Sequence, residues 1–253
     1  MIAVSIVSHG HAPLVQALVP ALLACPEVAQ ILVTRNLPES LELPRDERIT
    51  LIDNPEPRGF GSNHNQAFRQ CTQPLFCPLN PDIQLQGNPF PLLMAGLEQA
   101  GAVLAAPLVL NPQGQAEDSM RHFPTPFSLL RKAMGGDDGR YHCRPAQALV
   151  YPDWVAGMCM LFRSEAYARL GGFDEAYFLY YEDVDICARI RRQGLELVGV
   201  TGAVVIHDAR RDSHRQWRYL RWHLTSLARY LCRHWGRLPR SRVDGGEGGS
   251  GQR

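Results

Sequence analysis

Lysine is almost absent from this chain: Lys132 is the only one, and arginine carries the positive charge. The 26 basic residues nearly cancel the 25 acidic ones, leaving a formal net charge of +1. Overall charge therefore gives no reason to expect a nucleic acid partner. Seven cysteines are present (Cys25, Cys71, Cys77, Cys143, Cys159, Cys187 and Cys232), but no two stand as Cys-x-x-Cys. That spacing argues against a zinc site or a disulfide framework and for reduced, mostly buried thiols in a cytosolic protein. No apolar run reaches membrane-spanning length, and no charged leader with a cleavage site precedes the first strand-like run. The expectation is a cytoplasmic protein whose membrane contact, where there is any, is peripheral at the inner face. With 45% apolar and 20% charged residues, the 253-residue chain suits one domain with a substantial core, alone or with an appendage.

Along the chain, Ile2 to Val7 is a short β-branched run of the kind found in buried parallel strands. A helix is predicted from Pro13 to about Ala24, then strands at Gln30–Thr34 and Ile49–Ile52. Gly59-Phe60-Gly61-Ser62 opens a helix from about Asn63 to Gln70, and Leu75 to Leu79 forms a fourth strand. This alternation predicts an α/β, mostly parallel sheet flanked by helices, with ligands beyond the carboxyl ends of the strands. The loops at Ser8, Thr34, Asn54 and Asn80 share that edge. Residues 111–151 have weak periodicity and predict a long excursion with its flexible tip at Gly135–Gly139. Beyond the mixed run Trp154 to Phe162, helices are expected at about Ser164–Leu170 and Val184–Gln193. Two short strands follow between Leu195 and Val205.

Four stretches carry chemistry. Asn80-Pro81-Asp82 places a carboxylate at a strand end, suited to a hard cation such as Mg²⁺ or Mn²⁺, though the same tripeptide is a common turn. Arg58-Gly59-Phe60-Gly61-Ser62-Asn63-His64-Asn65 turns into a helix start whose amides suit phosphates, or it is simply a turn and cap. Glu182, Asp183 and Asp185 gather at another helix start, either as acidic caps or with a general base among them. Asp185 is spaced to pair with Arg189. His207 closes the last strand, as a metal ligand or a polar strand end.

Together with Leu79-Asn80-Pro81-Asp82, Trp154-Val155-Ala156-Gly157 and Gly171-Gly172-Phe173-Asp174-Glu175, these stretches occur in one order across residues 2–207. The chain thereby resembles the inverting glycosyltransferase family 2, its bacterial rhamnosyltransferase-like branch in particular. The resemblance implies a GT-A (Rossmann-like) fold, a nucleotide-diphosphosugar donor and a divalent metal. It makes Asp82 and His207 metal ligands, Asp183 the base, Glu182 a group orienting the acceptor, and Gly157 part of the floor beneath sugar and acceptor. Ser8, Arg35, Arg58, Gly59, Asn63 and Asn80 would line the donor. It also implies transfer of a sugar, L-rhamnose foremost, to a hydroxyl of a bacterial surface glycan, free or lipid-linked. Two departures stand out: Ser8-His9-Gly10 replaces Asn-Tyr-Asn, and Arg35 stands where the family carries an aspartate that contacts the nucleoside. Arg35 keeps open a catalytically weak or inactive nucleotide-sugar-binding protein.

Residues 1–207 form the expected catalytic domain, 208–240 a basic amphipathic helical segment and 241–253 a disordered Gly/Ser-rich tail. Trp217, Leu220, Leu224 and Trp235 are interleaved there with Arg218, Arg221, Arg229 and Arg233. Such a segment either rests on an anionic membrane or packs on the domain or on a second subunit in a homodimer.

Overall fold

The computed structural model describes residues 1–136, 139–141, 149–208 and 217–238. The expected tail at 241–253 and two residues of the expected flexible tip, Asp137 and Asp138, lie outside them. The first half runs β1 (Ile2–Ser8), α1 (Ala12–Leu23), β2 (Val28–Arg35), β3 (Ile49–Asp53), α2 (Phe60–Phe68), β4 (Leu75–Leu79) and β5 (Ile83–Leu85). It continues with α3 (Phe90–Ala100), β6 (Leu104–Leu110), β7 (Met120–Arg121) and α4 (Pro126–Ala133). The remainder is β8 (Trp154–Val155), β9 (Leu161–Arg163), α5 (Ser164–Arg169), α6 (Glu182–Arg192), β10 (Leu197–His207) and α7 (Trp217–His234).

Eight strands form one sheet in the order β3-β2-β1-β4-β9-β6-β10-β5. The pairings β1–β2, β2–β3, β1–β4 and β6–β10 are parallel. Those of β9 with β4 and β6, and of β5 with β10, are antiparallel, so the sheet is mixed. Alternation along β1 sets two cores. Ile2, Val4 and Ile6 pack with Val15, Leu18 and Leu22 of α1 and Phe90, Leu93 and Leu97 of α3. Ala3 faces the other layer, with Ala67 of α2, Tyr167 of α5, Ile186 and Ile190 of α6, and Tyr230 of α7.

Several boundaries differ from the pattern. The helices α2 and α6 each begin earlier than their apolar residues suggest, so Glu182 and Asp183 sit inside the first turn of α6 rather than before it. The two expected short strands are one, β10, whose register slips between Val200 and Val204. The 111–151 excursion carries α4, closed by a capping box in which Thr125 and Ser128 bond reciprocally. The six cysteines among the described residues are free thiols.

The parallel half fixes the working edge. Register places Ser8, Arg35 and Asp53 side by side at the carboxyl ends of β1, β2 and β3, with β4 delivering Asn80 beside them.

Candidate functional site

A cleft of about 640 Å³ opens along that edge, lined among others by His9, Asn36, Arg58, Asn63, Asn80 and Asp82. Side-chain amides tie its floor together. Asn54 Nδ2 donates to Asn36 Oδ1 at 2.8 Å and to Asn63 Oδ1 at 2.6 Å, and Asn36 Oδ1 also accepts the Arg58 amide. Asn63 Nδ2 donates to the carbonyls of Arg58 and Gly59. Asn63 therefore holds the turn while it also lines the cleft. Ser8 is fully buried, and its Oγ accepts the His11 amide at 3.3 Å. Its neighbours His9 and His11, rather than Ser8 itself, reach the cleft wall.

Gly59 is needed for a close approach. A Cβ there would lie 2.5 Å from the Phe178 carbonyl oxygen, which accepts the Phe60 amide at 3.0 Å. The start of α2 is thus engaged by protein at Phe60, where the pattern pointed to phosphate. Arg35 forms a two-point fork with Asp53, Nε to Oδ1 at 2.6 Å and Nη2 to Oδ2 at 2.9 Å. Although Arg35 replaces an aspartate in the sequence pattern, the adjacent strand sets a carboxylate, Asp53, against it.

Asp82 and His207, which the resemblance pairs as metal ligands, lie side by side, with His207 Nε2 3.2 Å from Asp82 Oδ2. Glu117, which no motif marked, holds the other ring nitrogen: its Oε2 is 2.6 Å from His207 Nδ1. Burial disfavours the imidazolium, but the bonds and charges of Asp82 and Glu117 outweigh it and raise the His207 pKa to about 9. Asp82 Oδ1 is buried without a hydrogen-bond partner. Among the described residues, no three His, Cys, Asp or Glu side chains are grouped to hold a metal by themselves. Mg²⁺ and Mn²⁺ in phosphate chemistry draw several ligands from phosphates and water, so one carboxylate and one imidazole fit such an ion once His207 gives up the proton it holds between Asp82 and Glu117. The carboxylate behind His207 is the usual support for a ligating histidine.

The third group lies across Tyr180, which lines both the main cleft and a neighbouring pocket of about 300 Å³. Glu182 and Asp183 form part of that pocket's wall. Asp183 is half-buried; its Oδ2 accepts the Gly157 amide at 2.9 Å and its Oδ1 the Val184 amide at 2.8 Å. Burial raises its pKa despite these bonds. Glu182 is buried, with Oε2 unpartnered, and burial and the Asp183 charge push its pKa well up. Gly157 lies between the two cavities' walls: a Cβ on it would meet the Phe60 ring at 3.3 Å and Asp183 Cβ at 3.6 Å.

The loop before Glu182 is strained, since Tyr180 and Tyr181 both have left-handed φ, 70° and 68°. The last helix, α7, holds it: Ser226 Oγ donates to the Leu179 carbonyl, His223 contacts both tyrosine rings, and Tyr181 stacks near Tyr230. Asp185 is fully buried and bonds Arg189 Nε at 2.7 Å and His234 Nε2 at 2.9 Å. It joins α6 to α7, a contact that sequence reasoning missed because its partner His234 lies 49 residues away. His64 was also passed over. It is buried, bonded to Ser5 Oγ at 2.8 Å, and lines the main cleft with Nε2 unpartnered.

A family model described as "Glycosyltransferase like family 2" matches residues 33–225. The chain is 28% identical to rhamnosyltransferase WbbL of Escherichia coli (strain K12), over 92% of this chain and 93% of that protein. It is 33% identical to an N-acetylglucosaminyl-diphospho-decaprenol L-rhamnosyltransferase of Mycobacterium tuberculosis, over 54% of this chain and 47% of that one. Among solved structures, GalNAc-T7 with UDP, GalNAc and Mn²⁺ superposes with a TM-score of 0.68 at 14% identity, covering 91% of this chain and 47% of the other. The mannosyltransferase PcManGT of Pyrobaculum calidifontis, in complex with GDP-Man and Mn²⁺, gives 0.62 at 16%, covering 94% and 65%.

Proposed function

Because this chain belongs to glycosyltransferase-like family 2 and is a glycosyltransferase of GT-A fold, we propose that it transfers L-rhamnose from a dTDP donor to a hydroxyl of a lipid-linked surface glycan, with inversion. The observation that carries this is Asp183, a carboxylate fixed by the Gly157 amide across Tyr180 from the cleft holding Asp82. Relatives named as rhamnosyltransferases, one acting on a diphospho-decaprenol acceptor, support the choice of sugar and acceptor.

In this mechanism the donor lies in the main cleft, with its diphosphate toward Asp82 and its nucleoside toward Leu37, beyond which the Arg35–Asp53 fork lines an adjoining cavity. Asp82 and His207 would hold a divalent cation, whose charge would stabilise the leaving nucleoside diphosphate. Glu117, bonded to His207 Nδ1, would fix the ring and leave Nε2, on the Asp82 side, as its ligating nitrogen. Asp183 takes the proton of the acceptor hydroxyl as its oxygen attacks the anomeric carbon from the face opposite the diphosphate. The carbon–oxygen bond to the diphosphate breaks, and the new bond carries inverted configuration. Glu182, buried next to Asp183 in the wall of the same pocket, helps orient the acceptor. Residues 1–207 serve as the catalytic unit, with α7 packed against it.

A panel of nucleotide-sugars with Mg²⁺ or Mn²⁺ tests this, read by thermal shift and then by product NMR. Metal-dependent consumption of dTDP-rhamnose giving a product of inverted anomeric configuration is expected. A competing reading, a nucleotide-sugar-binding protein without turnover, is favoured only by Arg35. Nucleotide binding with no transfer to any acceptor would establish it and sink the transferase.

A further inference from the structure

The helix α4, which sequence periodicity did not mark, presents Phe127 and Leu130, with Met134 just past its end, to solvent at 68%, 57% and 70% exposure. Their spacing of three and four residues places them on one side of the helix. A surface stripe of three such side chains along an eight-residue helix and its end has no folding rationale of its own.

α7 supplies a second stripe. Ser226, Tyr230 and His234 bury one side against the domain. Trp217, Leu220 and Leu224 are exposed on another side, continued by half-buried Leu231 and by exposed Trp235 just past the helix end. The two stripes are neighbours, because Phe127 shares one cleft with Leu231 and Trp235. Basic side chains accompany them. Residues 217–238 contain five arginines and no acidic residue, and α4 ends in Arg131 and Lys132. Arg229 and Arg233 are engaged by Asp174, whereas Arg221 of α7, Arg237 just past its end and Lys132 of α4 are exposed.

We propose that α4 and the outer stripe of α7 form one docking face for an anionic lipid bilayer, beside the mouth of the acceptor pocket. Apolar side chains fringed by arginine suit the boundary between headgroups and acyl chains, and no described helix is long and apolar enough to cross the membrane. A second protein copy is the other occupant for an apolar face, but a surface of like charge on both sides would oppose self-association. The location adds a functional reason. Ser128, Leu129 and Lys132 of α4 and His223 of α7 wall the pocket that contains Asp183. A bilayer seated on the two helices brings that pocket to headgroup level, where a lipid-anchored diphosphate lies, with Lys132 at hand for its charge. The docking face rests on the lipid-linked acceptor proposed above.

Flotation of the full chain tests it, with vesicles of phosphatidylcholine alone or mixed with phosphatidylglycerol. Binding is expected only to the mixed vesicles. The double variant Phe127→Glu/Leu130→Glu should weaken it by on the order of tenfold or more, since each loses a side chain's worth of apolar burial. Leu224→Glu alone should weaken it in the same direction. Transfer to a water-soluble, short-chain diphospho-sugar should be unchanged in these variants, which shows that they fold. Failure of that transfer in the wild type would refute the proposed acceptor, not the docking face. Wild-type protein that stays with the pellet, or a double variant that floats as well as the wild type, overturns the docking face. So does a wild-type dimer in light scattering that Phe127→Glu dissociates, for the face would then be a subunit interface.

Discussion

Asp183→Asn separates a catalytic carboxylate from a helix cap. Two backbone amides, from Gly157 and Val184, donate to the two oxygens of Asp183. Asparagine keeps the shape but has one acceptor, so one amide faces an NH₂ group, at a cost of about 1–3 kcal/mol. Part of that is offset, because the neutral side chain avoids the burial penalty that raises the Asp183 pKa. For a chain of this size each kcal/mol moves Tm by about 2–4 °C, so the variant should melt within roughly 10 °C of the wild type. Loss of the proton acceptor should lower kcat by about 10²–10⁴-fold. Single-turnover assays with dTDP-rhamnose, beside calorimetric titration of dTDP with Mn²⁺, read the two effects separately. Nucleotide affinity should hold while transfer collapses. The pH profile gives a second check with a definite sign. The base must be ionised, so kcat/KM falls as pH drops through its pKa, and that acid limb should lie above the ordinary aspartate range near about 4. A variant that transfers within tenfold of the wild type would reduce Asp183 to a cap and refute the mechanism.

Other substitutions probe the surrounding parts. Glu117→Gln removes the charge behind His207 and should weaken Mn²⁺ affinity by about 10–100-fold, read by paramagnetic resonance titration in the presence of dTDP. An unchanged affinity would free His207 from the metal site. Gly59→Ala puts a methyl group 2.5 Å from the Phe178 carbonyl, with no flexible side chain to yield. It should cost about 1–3 kcal/mol in urea unfolding, and a variant as stable as the wild type would refute the close approach. Glu182→Gln should raise thermal stability at neutral pH. The raised pKa of Glu182 means the folded state holds a proton that the unfolded state releases, so wild-type stability falls as pH rises from about 4.3 toward that pKa. Melting curves across that range should lose this slope in the variant, and an identical slope would place the buried charge elsewhere.

Local sequence determined a good deal. The β-branched runs of β1 and β2 and the all-apolar β4 can satisfy their backbones and bury both faces only as central strands, so the parallel half was legible. The acidic start of α6 and the carboxylate after β4 were legible as residue types at element ends. The fork of Arg35 with Asp53 was not, because it depends on the register of β3 against β2, which no local pattern specifies. Glu117 came to His207 from 90 residues away, out of a segment whose weak periodicity concealed α4. The Glu182–Asp183 stretch read locally as an acidic cap. Tertiary contacts made it more: the Gly157 amide orients Asp183, and α7 clamps the strained Tyr180–Tyr181 turn beneath it. Sequence fixes hydrophobic period and charge along one chain, whereas a site is the meeting of side chains from distant segments, which only packing decides.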